Sequence, residues 1–268
     1  MDTFKKNEYE LIIYEIRQRI AWIILNDPKR HNAMSELMQR EIKAALLESQ
    51  EDENVRVIIF TGKGERSFSV GANINVFSNI NSLAGYKLMR DIGYEIHRLM
   101  ERIEKPIIAA VNGYCMAGGL ELALACDLIF ATENSVFSAP EINLGIIPGW
   151  GGTVRLPRAV PIRKAKEWIM TGEQFSADEA LRFGLINEIV PRPQLEQRVE
   201  EFANKLANKS SNALRMAKMS INYSLESADI DAGLAIERGA ISTLFGTEDC
   251  KEGVQAFLTK RKPIFKDK

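Results

Sequence analysis

Residues 113–130 read GYCMAGGLELALACDLIF, an apolar stretch that carries a glycine pair, Gly118 and Gly119, and one acid, Glu121. IIAAVNGY (107–114) leads into it and DLIFAT (127–132) closes it, so the unit reads strand, glycine turn, helix, strand. Alternation of this kind defines an α/β fold. Glycines at the turn let backbone approach a ligand closely, and a helix start offers N–H donors without helical partners. A plain tight turn is the simpler reading of the same pair. Glu121 adds weight to the first, because at helical spacing it shares a face with Leu124, Ala125 and Leu128. The helix dipole would also favour a solvated acid there, but its neighbours are apolar. Burying an unpaired carboxylate is costly, so an acid kept among such neighbours points to use.

Working outward, YELIIYEI (9–16) and IAWIILND (20–27) flank RQR and predict an opening hairpin. Ser35 is placed to cap a helix whose stripe is Met38, Ile42, Ala45 and Leu46. VRVIIFTG (55–62) predicts a buried strand and SFSVGANI (67–74) a second glycine turn. If that turn lies opposite Gly118, the Ala72 N–H becomes the second donor of a carbonyl-binding pair. One helix is expected to carry Leu88, Ile92, Ile96, Leu99 and Ile103, ending at Pro106. Downstream, SVFSAPEINLGIIPGWGGT (135–153) holds Glu141 in a loop with few other ionisable groups. SADEALRFG (176–184) has Ser176 and Glu179 at capping-box spacing with Gly184 as a stop. Beyond Pro191 the pattern to Phe257 is helical throughout, with Leu195, Val199, Phe202 and Leu206 in one helix and Leu214 to Tyr223 in the next.

Of the 268 residues 46% are hydrophobic, and the net charge is −1 with both signs interspersed. A sizeable core is affordable, and neither nucleic acid nor an anionic membrane is suggested as a partner. The start has no signal-peptide pattern and no apolar run is long enough to span a bilayer, so a cytoplasmic protein is expected. Three separated cysteines, Cys115, Cys126 and Cys250, suggest reduced thiols. His31 and His97 have no ligand spacing, so no metal site is expected. GWGGTV (149–154) places Val154 where a dinucleotide fingerprint needs its third glycine. Neither a GxSxG elbow nor a GxxxxGK[ST] loop occurs, which leaves carboxylate acid/base chemistry as the best-supplied option.

From NDPKRHNAM (26–34) to EGVQAFLTKRKPIFK (252–266) the chain resembles the crotonase (enoyl-CoA hydratase/isomerase) superfamily. FSVGANI, NGYCMAGGLELALACDLIFA, FSAPEINLGIIPGWGGTVRL and SADEALRFGLINEIVP carry the resemblance, in order. It implies a ββα spiral core at 1–191, binding acyl-CoA, and a helical trimerisation region at 192–268, giving a trimer or a dimer of trimers. It also implies a thioester carbonyl held by the N–H groups of Ala72 and Gly118, with Glu121 activating water, Glu141 protonating the α-carbon and the Gly149 N–H helping to hold the water. Both positions being Glu favours a hydratase; an isomerase, a ring hydrolase or a non-catalytic acyl-CoA-binding module are the alternatives. Coenzyme A contacts carried over by position fall on Lys29, His31, Ala33, Ala72, Asn73 and Ile74, with Lys260 reaching the nucleotide phosphates or simply lying on the surface. No cofactor is implied beyond the coenzyme A of the substrate. Asn73 replaces a common Asp and Val70 a smaller Ala. Trp150 stands where a small residue is usual, either narrowing the acyl pocket or packing in the core.

Overall fold

The computed structural model describes residues 9–78, 80–227 and 229–268. The predicted hairpin forms from β1 (Ile12–Arg17) and β2 (Ile20–Leu25), paired antiparallel. Helix α1 (Glu36–Glu51) follows, with the Ser35 side chain accepting from the Met38 N–H, and Met38, Ile42, Ala45 and Leu46 buried. Then come β3 (Val57–Gly62), β4 (Ser67–Ser69), α2 (Ser82–Leu88) and α3 (Glu95–Arg102). The segment expected as one helix is divided: residues Met89–Tyr94 between α2 and α3 form a π-helical stretch. Single-turn widenings of this sort favour functional sites.

The deciding stretch folds as the expected strand, helix and strand, with one unexpected short strand, Tyr114–Met116, ahead of the glycine pair. Strand β5 (Ile107–Val111) leads to β6 (Tyr114–Met116), α4 (Gly118–Leu124), β7 (Leu128–Thr132) and β8 (Val136–Ser138). After it come α5 (Gly152–Ala159), α6 (Ile162–Thr171), β9 (Phe175–Ser176), α7 (Ala177–Arg182) and β10 (Glu188–Val190). Helices α8 (Leu195–Ala207), α9 (Ser211–Glu226), α10 (Ile230–Leu244) and α11 (Glu248–Leu258) complete the chain.

From β3 to β8 successive strands are dealt alternately to two sheets. One sheet has the order β1-β2-β3-β5-β7-β10 and is parallel except for its first strand; the other runs β4-β6-β8-β9. Each turn of the chain thus adds one strand to each sheet before a helix returns, which is the expected ββα spiral. The larger sheet is buried on both faces, which is why its strands read as unbroken apolar runs. In β2, Ala21, Ile23 and Leu25 face the main core, whereas Ile20, Trp22 and Ile24 face a second layer. That second layer is supplied by α8, through Leu195, Val199, Ala203 and Ala207.

Helices α9 to α11 pack differently. In α9 the buried residue is Lys218, whose Nζ donates to the Met100 and Lys105 carbonyls and pairs with Asp127 at 2.8 Å. Asp267 returns to the start of α9, accepting from the Ser211 N–H at 2.8 Å and pairing with the buried Arg56, just ahead of β3. Among the described residues, no helix is long and apolar enough to cross a membrane.

Candidate active site

The two glycine turns meet. A Cβ built on Gly71 would lie 2.6 Å from the Gly118 nitrogen and 2.8 Å from the Ala117 Cβ, so neither side of the junction has room for a side chain. The turn at Gly71–Asn73 is held from behind by the loop after β2. Met34 N–H donates to the Gly71 carbonyl (2.7 Å) and Asn73 N–H to the Met34 carbonyl (3.4 Å). This bridge leaves the Ala72 N–H outside it. Gly118 opens α4, so its N–H has no helical carbonyl to reach.

One turn along α4, Glu121 is 3% exposed. Its Oε1 accepts from the main-chain N–H groups of Trp150 and Gly152, both at 2.7 Å. Gly152 must come this close: a Cβ there would stand 3.1 Å from Glu121 Oε1. Among the described residues Oε2 has no hydrogen-bond partner. Burial is the main cause that lifts the Glu121 pKa to about 7; the charge of Glu141 adds to the rise, while the two N–H groups and Arg155 oppose it.

Glu141 comes from a 3-10 turn at Pro140–Leu144 that follows β8. It is buried, its pKa is raised by that burial, and its Oε2 has no partner among the described residues. Both acids are thus buried, and the charge of Glu141 is felt at Glu121.

The Gly149–Gly152 segment that holds Glu121 is itself fixed. Arg155 donates to the Trp150 carbonyl (2.8 Å) and pairs with Glu101 of α3 at 2.6 Å. Gly149 lies against the π-helical stretch, where a Cβ would meet Met89 Sδ at 2.9 Å. The Trp150 indole is buried and packs over Gly118, at the junction of the two glycine turns.

Lys29 is exposed in a short 3-10 turn. His31 (φ 55°) places Nδ1 2.9 Å from Ser67 Oγ and accepts the Val70 N–H on its carbonyl. Ala33 sits beside it, and Asn73 caps a turn that carries the exposed Ile74. Met34, which follows Ala33, bridges to Ala72, so the segments ending at Ala33 and starting at Asn73 run side by side. Lys260, at the end of α11, bonds back to the Phe257 carbonyl, and nothing among the described residues joins it to those segments. Sequence reasoning missed Lys63 and Arg66, which line a cleft with His31, Asn32 and Ser67. Their signal was the basic loop KGER after β3, legible only once β3 is known to neighbour β2. It also missed Arg155 and Glu101.

The ββα spiral thus carries two buried carboxylates, Glu121 just inside the helix that Gly118 opens and Glu141 in the 3-10 turn after β8. The family model described as enoyl-CoA hydratase/isomerase matches residues 15–268, and the chain belongs to that family. The chain is 40% identical to the crotonyl-CoA hydratase of Syntrophomonas wolfei subsp. wolfei over 96% of this chain and 98% of that one. It is also 40% identical to the short-chain-enoyl-CoA hydratase of Clostridium acetobutylicum, over 95% and 97%. The crystal structure of enoyl-CoA hydratase from Bacillus anthracis superposes with a TM-score of 0.92 at 35% identity, covering 97% of this chain and all of that one.

Proposed function

We propose that the protein is an enoyl-CoA hydratase, adding water across the 2,3 double bond of an enoyl-CoA thioester. The observation that carries this reading is the pair of buried carboxylates, Glu121 and Glu141, beside the junction of the Ala72 and Gly118 turns. In it, the Ala72 and Gly118 N–H groups hold the thioester oxygen as it gains enolate charge. Glu121 takes a proton from water through its free Oε2 as the oxygen bonds to C3. Glu141 gives a proton to C2, and the Gly149 N–H helps to place the water. Glu121 ends protonated and Glu141 ionised, and exchange with solvent restores the starting state. The charge of Glu141 opposes ionisation of Glu121, so in this reading the two titrate as a coupled pair that supplies an acid and a base.

Lys29, His31, Ala33, Asn73 and Ile74 are assigned to the coenzyme A edge, with Lys260 as a more distant phosphate contact. No metal or separate cofactor enters any step. Residues 1–191 form the acyl-CoA-binding part in this reading, and the compartment we infer is the cytoplasm.

Purified protein is expected to convert crotonyl-CoA to its 3-hydroxyacyl product without added metal or nucleotide. Glu121→Gln keeps the shape and the acceptor for both N–H groups but removes the base, so kcat falls by about 100- to 10,000-fold. Full activity in that variant would overturn the assignment. An isomerised or ring-opened product in place of the hydroxyacyl thioester would move the protein to another branch of the family, and tight binding without turnover would make it a binding module.

A further inference from the structure

The Trp150 indole occupies a socket made by two absent side chains. At one end a Cβ on Gly118 would lie 2.2 Å from Cζ3; at the other a Cβ on Gly93, in the π-helical stretch, would lie 1.8 Å from Cδ1 and 2.0 Å from Nε1. The ring thus spans from the oxyanion turn to the helix facing it. Its root is fixed on both sides, because the Trp150 N–H is bonded to Glu121 and its carbonyl to Arg155.

Behind the ring lies His97, with ring centroids 5.8 Å apart. His97 Nδ1 donates to the Gly93 carbonyl at 2.6 Å, which leaves Nε2 as an acceptor. Neither His97 Nε2 nor Trp150 Nε1 has a partner among the described residues, and both are buried. An alkyl chain that pushed past the indole would pack against two polar groups and satisfy neither.

We propose that Trp150 closes the acyl pocket at the oxyanion turn, so that the protein takes short, planar 2-enoyl groups and rejects long saturated tails. This rests on the assignment of Ala72 and Gly118 as the thioester site. A flat indole lying over Gly118 suits the plane of a conjugated enoyl thioester, whereas a flexible tail reaching past it meets the unpaired Trp150 Nε1 and His97 Nε2. Gly93 is the other half of the device, since any side chain there would drive the ring toward Gly118.

The test compares wild type with Trp150→Ala and Trp150→Phe. Calorimetric titration with butyryl-CoA and octanoyl-CoA, which carry no double bond to hydrate, gives an affinity ratio within each variant. Changes in overall stability therefore cancel. Wild type is expected to favour the four-carbon ligand. The ratio is expected to shift toward the eight-carbon ligand by about tenfold or more in Trp150→Ala, the scale on which pockets discriminate methylene groups, with Trp150→Phe between them. A wild type that prefers octanoyl-CoA, or a ratio unchanged in Trp150→Ala, overturns the inference. If the ratio shifts as stated while crotonyl-CoA is not hydrated by wild type, the pocket limit stands and the hydratase reading is the one that fails.

Discussion

Glu121 was legible as an anomaly, one acid on an apolar helical face, because burial of charge is costly enough to leave a mark in sequence. Its holders were not. Main-chain N–H groups at Trp150 and Gly152 can belong to any residue, and only the close approach at Gly152 leaves a glycine as a trace. The environment also sets a pH dependence. With a native pKa of about 7, raised above the ordinary glutamate value, Glu121 keeps a proton that the unfolded chain has already released. Stability from this group is therefore full below the unfolded value, falls as pH rises toward 7, and levels off above it. Glu121→Gln has no such slope. Its stability relative to wild type is expected to improve between about pH 5 and about pH 8 by on the order of 1–3 kcal/mol, measured by chemical denaturation at each pH. Equal differences at the two pH values would show that Glu121 does not titrate in this window.

At the scale of elements, the strands and the Ser35 cap were readable because each follows from a local rule: a short unbroken apolar run rich in branched side chains, or a side-chain oxygen ahead of an apolar stripe. The helix expected through Leu88 and Ile103 was misread as continuous, since its widening at Met89–Tyr94 accompanies contacts with Trp150 and Gly149, remote in sequence. Helix α9 shows another limit. Periodicity marks an apolar face but not what covers it, and the side chain that docks this helix onto the core is the cation Lys218. Lys218→Ala would leave two carbonyls and the partly exposed Asp127 without their cation; desolvation already raises the Asp127 pKa, and Lys218 opposes that rise. A loss of about 2–4 kcal/mol is expected, at the lower end because Asp127 keeps some solvent. It would appear as a lower urea midpoint with an unchanged slope, and an unshifted midpoint would show that the ammonium does not dock the helix.

The whole molecule leaves large apolar side chains on its C-terminal helices uncovered: Ile230 is 78% exposed, Phe257 83% and Leu258 69%. Exposure on this scale marks an interaction surface. We propose that, within residues 192–268, α9 to α11 serve self-association as a trimer or a dimer of trimers, while α8 covers the sheet. Sedimentation is expected to give three or six times the chain mass of 30.1 kDa, and Phe257→Glu to lower it. A wild type sedimenting at the mass of one chain would remove the assignment.

The pairing of Arg56 with Asp267 joins positions 211 residues apart. Entropy of loop closure grows only with the logarithm of loop length, so doubling the chain between them would weaken the pairing by only about 0.6 kcal/mol. The attachment of α9 is accordingly tolerant of insertions in the exposed connections of the spiral. Those connections can lengthen or change sequence while the clasp, and the helices it anchors, stay in place.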